Sequence, residues 1–376
     1  MSTARISELM TPALLLDYQK LKTNIDRMAR RARENHLNLR PHIKTHKCAE
    51  IGKMQIECGA RGITVSTLNE AESFAKAGFD DITYAVPISR NKIKKALELA
   101  SNISLKILVD NQSIVGELNN ASREFEREID VMVKVDCGYH RCGVDPKSTA
   151  AVQVVRSIDE AQNLSFKGIL THAGHSYNAM SVDEIKRIAE EEQYAMVQFS
   201  RILKREGIVP EIISIGSTPT VSLCESFHEE ITEVRPGNYV FYDYTQVVLG
   251  VCAISDCALT VLASVVGNYP NRVVVDAGAT ALSKDQGPIN KIPNCGYGQV
   301  IADYDNSILA SDLSIDSLSQ EHGKITMTAG STDELGPSST IRILPNHSCL
   351  TANLFNHYFV VEDNRVVDKW ETIRCD

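Results

Sequence analysis

The strongest constraint on the fold is an alternation of short β-rich runs with longer amphipathic segments between Ala13 and about Val240. Repeated βα units require parallel strands, and eight of them close most economically into a TIM-type (β/α)8 barrel. Glu233–Pro236 is a ninth candidate, which leaves the count at eight or nine. The other strand candidates are Ala13–Asp17, Leu37–Lys44, Gly62–Thr67, Asp81–Val86, Leu105–Asp110, Val131–Asp136, Lys167–His172 and Ile212–Gly216.

After Tyr244 the pattern changes to short β-rich runs separated by Gly, Pro, Asn and Asp, with little helical periodicity. These runs are Ala258–Val266, Asn271–Ala277, Lys324–Thr328, Ser339–Leu344 and His357–Val361. The sequence therefore predicts an α/β fold with two domains. A barrel occupies residues 10–250, and a mainly antiparallel β domain occupies residues 251–376 together with 1–9.

The composition argues against nucleic-acid-binding, membrane and secreted proteins. With 39 Lys and Arg against 48 Asp and Glu, the net charge is −9, which argues against a nucleic-acid partner. No apolar run approaches the roughly 20 residues that cross a bilayer, and the N-terminus lacks the features of a secretory signal. The ten cysteines form no CxxC pair. We expect a cytoplasmic protein with no membrane partner, whose cysteines are mostly buried thiols.

Reactive groups of a parallel barrel lie at the C-terminal ends of its strands. Four predicted ends carry clusters of His, Lys, Arg or hydroxyl side chains: PHIKTHK from Pro41, DCGYHRCG from Asp136, THAGHSY from Thr171 and IGSTPT from Ile215. Lys44 closes a strand there, and partial desolvation would favour its neutral, nucleophilic amine. Such a lysine suits a Schiff base with a carbonyl substrate or with pyridoxal phosphate. A solvated lysine beside Lys47 is the alternative.

Two further segments suggest anion binding. GSTPT places a glycine before the hydroxyls of Ser217, Thr218 and Thr220, an arrangement that can cradle a phosphate or simply cap a helix. Arg235 ends a strand in an apolar region, where its guanidinium needs an acceptor such as a ring nitrogen or a carboxylate.

The segment PNHSCLTANLF places His347 and Cys349 two residues apart. On a strand both side chains would share one face, where imidazole and thiolate could bind a borderline cation such as zinc. Two protein ligands suit an open, catalytic metal site. A chance H-x-C spacing is the alternative.

Nine segments in order along nearly the whole chain resemble the D-threonine aldolase / D-serine dehydratase family, pyridoxal-phosphate enzymes that share the alanine racemase barrel fold. They are TPALLLD, RPHIKTHK, GITVSTLNEAE, DCGYHRCGV, THAGHSY, IGSTPT, EVRPGNYVFYD, VDAGATALSKD and PNHSC. Together the nine are specific, although each alone is weak.

The resemblance implies a role for individual residues. Lys44 carries the cofactor as a Schiff base, and its phosphate is held by Ser217, Thr218, Tyr239 and the amide of Gly216. Arg141 approaches the phenolic oxygen, His172 lies near the ring, and Arg235 faces the pyridine nitrogen. His347 and Cys349 bind a divalent metal, zinc before manganese or magnesium. Tyr177 is a substrate-side catalytic candidate beside Lys44 and His172.

The chemistry that follows acts on a D-3-hydroxy amino acid. The Lys44 amine removes the α-proton while the cofactor accepts the electrons, and a metal on the 3-hydroxyl assists its departure. A dehydratase yields a 2-oxo acid and ammonia, whereas an aldolase breaks the Cα–Cβ bond to give glycine and an aldehyde. Aldolases of the family tend to carry a carboxylate as the second metal ligand. Cys349 therefore favours dehydration, of the D-serine or D-threo-3-hydroxyaspartate type.

Three other classes stay open. An amino-acid racemase needs a second base, for which Tyr297 is a candidate, and no metal. A non-catalytic pyridoxal-phosphate carrier would leave the β domain and the His347/Cys349 pair unexplained. A barrel without cofactor is the third. We also expect a homodimer, because strand-end loops rarely close a site alone in this fold.

Overall fold

The structure is a computed structural model that describes residues 4–327 and 335–373, the side chain of Asp312 excepted. Contacts divide the chain into two compact units. The first comprises residues 4–27, Thr45–Glu50 and the described residues between 238 and 373. The second comprises Met28–Lys44 and Ile51–Gly237.

The second unit is built on eight parallel strands in the order β2-β9-β8-β7-β6-β5-β4-β3. The two end strands are joined by a parallel bridge between His42 and Thr64, in which the Thr64 N–H donates to the Pro41 carbonyl at 2.8 Å. The predicted parallel barrel is therefore confirmed. Its strands are β2 (Asn38–Leu39), β3 (Ile63–Val65), β4 (Asp81–Pro87), β5 (Ser104–Val109), β6 (Ile129–Lys134), β7 (Leu164–Leu170), β8 (Ile212–Ile215) and β9 (Glu233–Val234).

One barrel strand was assigned wrongly from the sequence. The run Ala13–Asp17, here β1, pairs antiparallel with β10 (Leu259–Tyr269) and parallel with β17 (His357–Glu362) in the other sheet. The eighth barrel strand is instead the ninth candidate, β9. Leu14, Leu15 and Leu16 are fully buried, and a strand buried on both faces has the same apolar pattern in either sheet.

Amphipathic helices connect the barrel strands, and α7 shows how the sequence sets one. Ser181 caps it by accepting from the Glu184 N–H, and Ile185 and Ile188 face inward. Gly207 follows its end with φ +83°, a conformation that favours glycine. The helices of the second unit and its connections are α1 (Tyr18–Glu34), α2 (Ala49–Glu57), α3 (Leu68–Lys76), α4 (Ile93–Ala100), α5 (Gln112–Glu124), α6 (Thr149–Asp159), α7 (Val182–Arg205) and α8 (Thr218–Leu223). Three short helices, α9 (Tyr244–Val248), α10 (Ala279–Leu282) and α11 (Ser348–Ala352), belong to the first unit.

The first unit contains a mixed, mainly antiparallel sheet, as predicted. Its main path runs β13-β12-β16-β10-β1-β17-β18, and β11, β14 and β15 extend it from β10. β1 and β17 are its parallel pair. The remaining strands are β11 (Arg272–Val275), β12 (Gly298–Asp303), β13 (Ile308–Ser314), β14 (Ser317–Leu318), β15 (Gly323–Thr326), β16 (Thr340–Pro345) and β18 (Arg365–Glu371). The last residue of the predicted run Lys324–Thr328 lies outside the described residues.

The barrel interior holds a buried polar chain rather than apolar side chains alone. Arg40 donates to Glu233 at 2.7 Å and to Asp81 at 2.8 Å, and Lys106 also donates to Asp81 at 2.8 Å. Arg40 and Glu233 are each only 3% exposed. Because each of these charges has an opposite charge in contact, the cost of removing them from water is largely offset.

The nine cysteines within the described residues form no disulfide, and Cys375 lies outside them. None of the helices within the described residues has the length and apolar character of a membrane span.

Candidate active site

The predicted functional residues fall into the two units. The barrel unit carries, on loops and turns after its strands, Lys44, Arg141, His172, Tyr177, Gly216, Ser217, Thr218 and Arg235. The other unit carries Tyr239, His347 and Cys349. Since all barrel strands are parallel, the residues that follow them share one end of the barrel.

Lys44 lies in a 3₁₀ turn (Ile43–Thr45) after β2, and its side chain is exposed. The desolvation that the sequence predicted for this amine is therefore not observed, because β2 ends at Leu39, before the chain reaches Lys44. The most deeply buried lysine of the described residues is Lys134, the last residue of β6, which is 4% exposed. Burial, and then the charge of Arg235, lower its pKa to about 8.

His172 follows β7, and its Nδ1 lies 3.3 Å from the carbonyl oxygen of Gly216. Burial, followed by the charges of Lys134 and Lys44, holds its pKa well below the ordinary value. The ring is therefore neutral at physiological pH, with Nδ1 as the donor. Its Nε2 is then left as an acceptor.

A cluster of hydroxyl groups surrounds the start of α8. Ser217 Oγ lies 2.9 Å from Ser176 Oγ and 3.0 Å from Thr220 Oγ1, and all three residues are buried. Gly216 has φ +105°, and a Cβ there would lie 2.5 Å from Cγ2 of Val221, so the turn requires glycine.

The Gly216 N–H already has a protein partner, because it donates to Oε1 of Glu192 at 3.0 Å. The family resemblance implies instead that this amide faces a phosphate. What this turn offers an anion is therefore its hydroxyl groups, Ser217 first among them, rather than the Gly216 amide.

Arg235 follows β9 and is 5% exposed. One guanidinium nitrogen, Nη1, donates to Ser214 Oγ at 2.5 Å, and Nη2 donates to the Thr171 carbonyl. Ser214 in turn donates to Glu233 at 2.5 Å, so Arg235 joins the polar chain of the barrel interior. Burial, partly offset by Glu233 and Glu192, lowers the Arg235 pKa to about 10, and the group stays charged at neutral pH.

The loop after β6 supplies an aromatic platform. The Tyr139 ring centroid lies 6.3 Å from that of His172 and 6.1 Å from that of His175, and Arg141 lies over its face at 5.1 Å. Arg141 is exposed. Tyr177 lies in the 3₁₀ turn after β7 and is partly exposed.

In the other unit, His347 precedes α11 and Cys349 lies in its first turn. The predicted strand is thus a strand end followed by a helix. His347 Nδ1 lies 2.7 Å from Oδ2 of Asp285. Burial opposes the charge on His347, but its hydrogen bonds with Asp285 and Cys349 outweigh that and raise its pKa well above the ordinary value.

The thiol of Cys349 has polar neighbours within the same unit. Its Sγ lies 3.4 Å from Thr45 Oγ1 and 3.5 Å from Nδ2 of Asn238. Burial raises the pKa of this thiol, but the hydrogen bond with His347, the charge of His347 and the hydrogen bond with Thr45 together outweigh burial, and the net shift is downward. Asp243 accepts from Asn238 at 2.7 Å and from the Ser348 N–H at 2.9 Å, which fixes this turn. Tyr239, nearby in sequence, is fully buried.

Both expected groups suit the residues present. For a phosphorylated aromatic aldehyde, Lys44 offers an accessible amine, while Lys134, Arg141 and Arg235 offer positive charge. His42 adds a buried Nδ1 with no hydrogen-bond partner among the residues described. For a divalent metal, the imidazole of His347 and the low-pKa thiol of Cys349 are the donor pair that zinc prefers. Within residues 4–327 and 335–373, no set of three or more His, Cys, Asp and Glu side chains is arranged around a metal position.

Several of these residues were missed from the sequence. Tyr139 and His42 lie in the segments DCGYHRCG and PHIKTHK, and Asp285 ends VDAGATALSKD, so their positions were available as signals. Lys134 is the one basic residue in an otherwise apolar run, VMVKV. Glu192 lies in a run of three glutamates on α7, and nothing in the sequence distinguishes it.

The barrel, its lysine-bearing end and the second sheet define an alanine racemase-like enzyme. Residues 16–245 match the family described as alanine racemase, N-terminal domain, and residues 258–361 match a serine dehydratase domain. D-serine dehydratase of Dictyostelium discoideum is 39% identical, over 97% of this chain and 97% of its own length. The chain belongs to the D-threonine aldolase / D-serine dehydratase family, as the sequence predicted.

Solved structures of dehydratases and aldolases are similar to this chain over nearly its whole length. D-threo-3-hydroxyaspartate dehydratase from Delftia sp. HT23 has a TM-score of 0.93 at 34% identity, covering 98% of this chain and 99% of its own. A cysteine-to-alanine variant of this dehydratase type was solved in a metal-free form, with the same TM-score, identity and coverage. D-threonine aldolase from Filomicrobium marinum has a TM-score of 0.87 at 26% identity, covering 98% and 97%. Dehydratases and aldolases are both lyases, which confirms the predicted enzyme class.

Proposed function

We propose that this chain is a pyridoxal-phosphate- and divalent-metal-dependent dehydratase of D-3-hydroxy amino acids, of the D-serine or D-threo-3-hydroxyaspartate type. The products are a 2-oxo acid and ammonia. The observation that carries the proposal is the pair His347 and Cys349 with its hydrogen-bonded thiol, since aldolases of the family tend to place a carboxylate there. Relatives that are 39% and 34% identical to this chain are dehydratases.

Pyridoxal phosphate, when bound, supplies an electron sink that acidifies the α-proton of an attached amino acid. Lys44 would hold it covalently, and the freed Lys44 amine would then remove that proton. Ser217 and Thr218, with Tyr239, would hold the phosphate, and Gly216 would supply the tight turn beneath it. Arg141 would neutralise the phenolic oxygen.

Neutral His172 would lie against the cofactor ring. The contact of its Nδ1 with the Gly216 carbonyl would fix the orientation of the imidazole there. Arg235 would face the ring nitrogen. A charged guanidinium there is fixed by Ser214 and Thr171, and it donates rather than accepts. Tyr177 would contact the substrate.

His347 and Cys349 would hold the metal, for which zinc suits a thiolate and imidazole pair better than manganese or magnesium. A divalent metal supplies Lewis-acid assistance to the departing 3-hydroxyl, which is a poor leaving group by itself. Within the protein, Asp285 orients His347 through Nδ1. Thr45 and Asn238 contact the thiol of Cys349.

The second candidate is retro-aldol cleavage, favoured by the likeness to D-threonine aldolase. One experiment separates the two. Purified enzyme loaded with cofactor and zinc is incubated with D-serine, D-threonine and D-threo-3-hydroxyaspartate, and the products are identified. Ammonia with a 2-oxo acid supports dehydration. Glycine with an aldehyde overturns it in favour of the aldolase, and inversion at the α-carbon without either product indicates a racemase.

A Lys44→Ala variant tests the cofactor anchor. It should lose the visible absorbance of the covalently bound cofactor, and retention of that absorbance would show that another amine carries it. We further propose a cytoplasmic homodimer, for which the mass in solution is the test of assembly. The assignment of residues 10–250 to a cofactor domain and of 251–376 with 1–9 to a metal domain also stays a prediction.

A further inference from the structure

Glu192 is a buried carboxylate that the mechanism above does not use. It lies on the inner face of α7 and is 1% exposed. One oxygen, Oε1, accepts from the Ala173 N–H and from the Gly216 N–H, each at 3.0 Å. Its other oxygen, Oε2, is buried without a hydrogen-bond partner in the described part of the chain.

The two amides belong to the ends of neighbouring barrel strands. Ala173 comes directly after His172 at the end of β7, and Gly216 comes directly before Ser217 at the end of β8. His172 and Ser217, the residues next to these two amides, are expected to contact the cofactor. A single carboxylate oxygen thus links the two backbone segments that carry His172 and Ser217.

The surrounding contacts make this connection rigid. The Ser176 hydroxyl donates to the Ala173 carbonyl at 2.7 Å and lies 2.9 Å from Ser217 Oγ. His172 Nδ1 lies 3.3 Å from the carbonyl of Gly216. The two loops are therefore linked to one another by side chains as well as through Glu192.

Burying a glutamate carboxylate costs folding free energy unless hydrogen bonds or an opposite charge compensate for the lost hydration. Glu192 makes no ion pair within 4 Å among the described residues, and burial raises its pKa, with the more distant charge of Arg235 among the opposing influences. A leucine on this inner face of α7 would avoid the cost, since its neighbours Ile188 and Met196 are apolar. Only an acceptor, however, can satisfy two strand-end amides that would otherwise be buried unpaired.

We propose that Glu192 is a positioning residue for the cofactor phosphate, holding the turn that carries Ser217 at a fixed distance from the loop that carries His172. The inference rests on the proposed function. It also explains why the Gly216 amide faces Glu192: the turn is fixed from beneath by the carboxylate, and recognition of the phosphate is left to the hydroxyl groups above it.

The test compares binding of pyridoxal 5′-phosphate and of pyridoxal, which lacks the phosphate, to the cofactor-free protein by visible absorbance. Glu192→Leu should reduce the preference for the phosphorylated aldehyde by roughly tenfold or more, because two amides lose their acceptor and the turn relaxes. Glu192→Gln keeps an acceptor oxygen and should retain the preference within about threefold. Glu190→Leu, an exposed change on the same helix, should leave it unaltered.

A merely structural role would lower the unfolding temperature of Glu192→Leu without changing the ratio of the two affinities, and that result would overturn the proposal. So would a glutamine variant as impaired as the leucine variant. If the leucine variant does not fold, hydrogen exchange of the cofactor-free wild type decides. Slow exchange at the Ala173 and Gly216 amides supports the proposal, and rapid exchange there overturns it.

A Ser217→Ala variant separates this inference from the proposed function. Loss of the phosphate preference in Ser217→Ala, with its retention in Glu192→Leu, would leave the cofactor site intact and reject the role of Glu192. Failure of the wild type to bind either aldehyde would reject the proposed function itself, and this inference with it.

Discussion

The carboxylate of Asp285 lies 2.7 Å from Nδ1 of His347. Because a carboxylate accepts, this contact places a proton on Nδ1, so a metal would bind Nε2 and displace the proton that the raised pKa of His347 keeps there. Asp285 is itself fixed, since Oδ1 accepts from the Gly287 N–H at 2.7 Å. The hydrogen bond from His347 lowers the pKa of Asp285, so the carboxylate is ionised at neutral pH.

Replacing Asp285 should therefore weaken metal binding without removing a metal ligand. Loss of such an outer carboxylate typically costs about 10- to 100-fold in metal affinity. We expect Asp285→Asn to show this decrease in zinc affinity, measured by competition with a chromophoric chelator, while visible absorbance of the cofactor is unchanged. Asp303→Asn, at the end of β12 in the same unit, is the matched control. Equal affinities in the two variants would contradict the role of Asp285.

Cys349 should be needed for elimination and not for cofactor binding. Cys349→Ala removes the thiolate ligand, so the holoenzyme should keep its cofactor absorbance, lose bound zinc and lose most ammonia release from D-serine. Zinc content by atomic absorption and ammonia release are measured on the same sample. The matched control is Cys58→Ala, which removes a thiol of the barrel unit that forms no disulfide. Full activity of Cys349→Ala in the presence of a chelator would remove the metal from the mechanism.

Lys134 should make stability depend on pH in the alkaline range. Burial lowers its pKa to about 8 in the folded protein, against an ordinary value near 10.5. Between these values the unfolded chain holds a proton that the folded chain lacks, so the free energy of unfolding rises with pH through this window. The full effect is about 3 kcal/mol, by the conversion of 1.36 kcal/mol per pH unit.

Lys134→Met should remove that rise and be more stable than wild type below pH ~8. Urea unfolding of the cofactor-free proteins at a series of pH values measures it. Lys147→Met, at an exposed position of the loop after β6, should follow the wild-type curve. Parallel curves for wild type and Lys134→Met would show that the amine keeps an ordinary pKa.

The pair Arg40 and Glu233 should contribute strongly to the stability of the barrel. Glu233→Gln leaves a buried guanidinium with Asp81 as its remaining partner, and breaking a buried pair typically costs about 3 kcal/mol or more. The free energy of unfolding in urea should fall accordingly. Glu72→Gln, which breaks surface contacts with Lys76 and Lys95, should leave the midpoint nearly unchanged. A Glu233→Gln midpoint equal to wild type would mean that hydrogen bonding alone suffices there.

The strand count and the class of the fold could be predicted because βα alternation repeats along the chain. Which strands belong to the barrel could not be predicted, because Ala13–Asp17 is buried on both faces and its apolar pattern suits a strand of either sheet. β9, only two residues long, gives no periodicity at all. The closing bridge between His42 and Thr64 joins segments that are separated in sequence, so no local pattern reports it.

The sequence by itself determined the family, and residue type and spacing alone pointed to Lys44 as the proposed reactive amine and to His347 and Cys349 as the proposed metal ligands. Only the tertiary structure decided which groups are buried and what each one faces. It exposed Lys44, buried Lys134, and brought Asp285 to His347 and Glu192 to the Gly216 amide. Desolvation and hydrogen-bond partners depend on residues distant in the chain, and the chain order alone does not specify them.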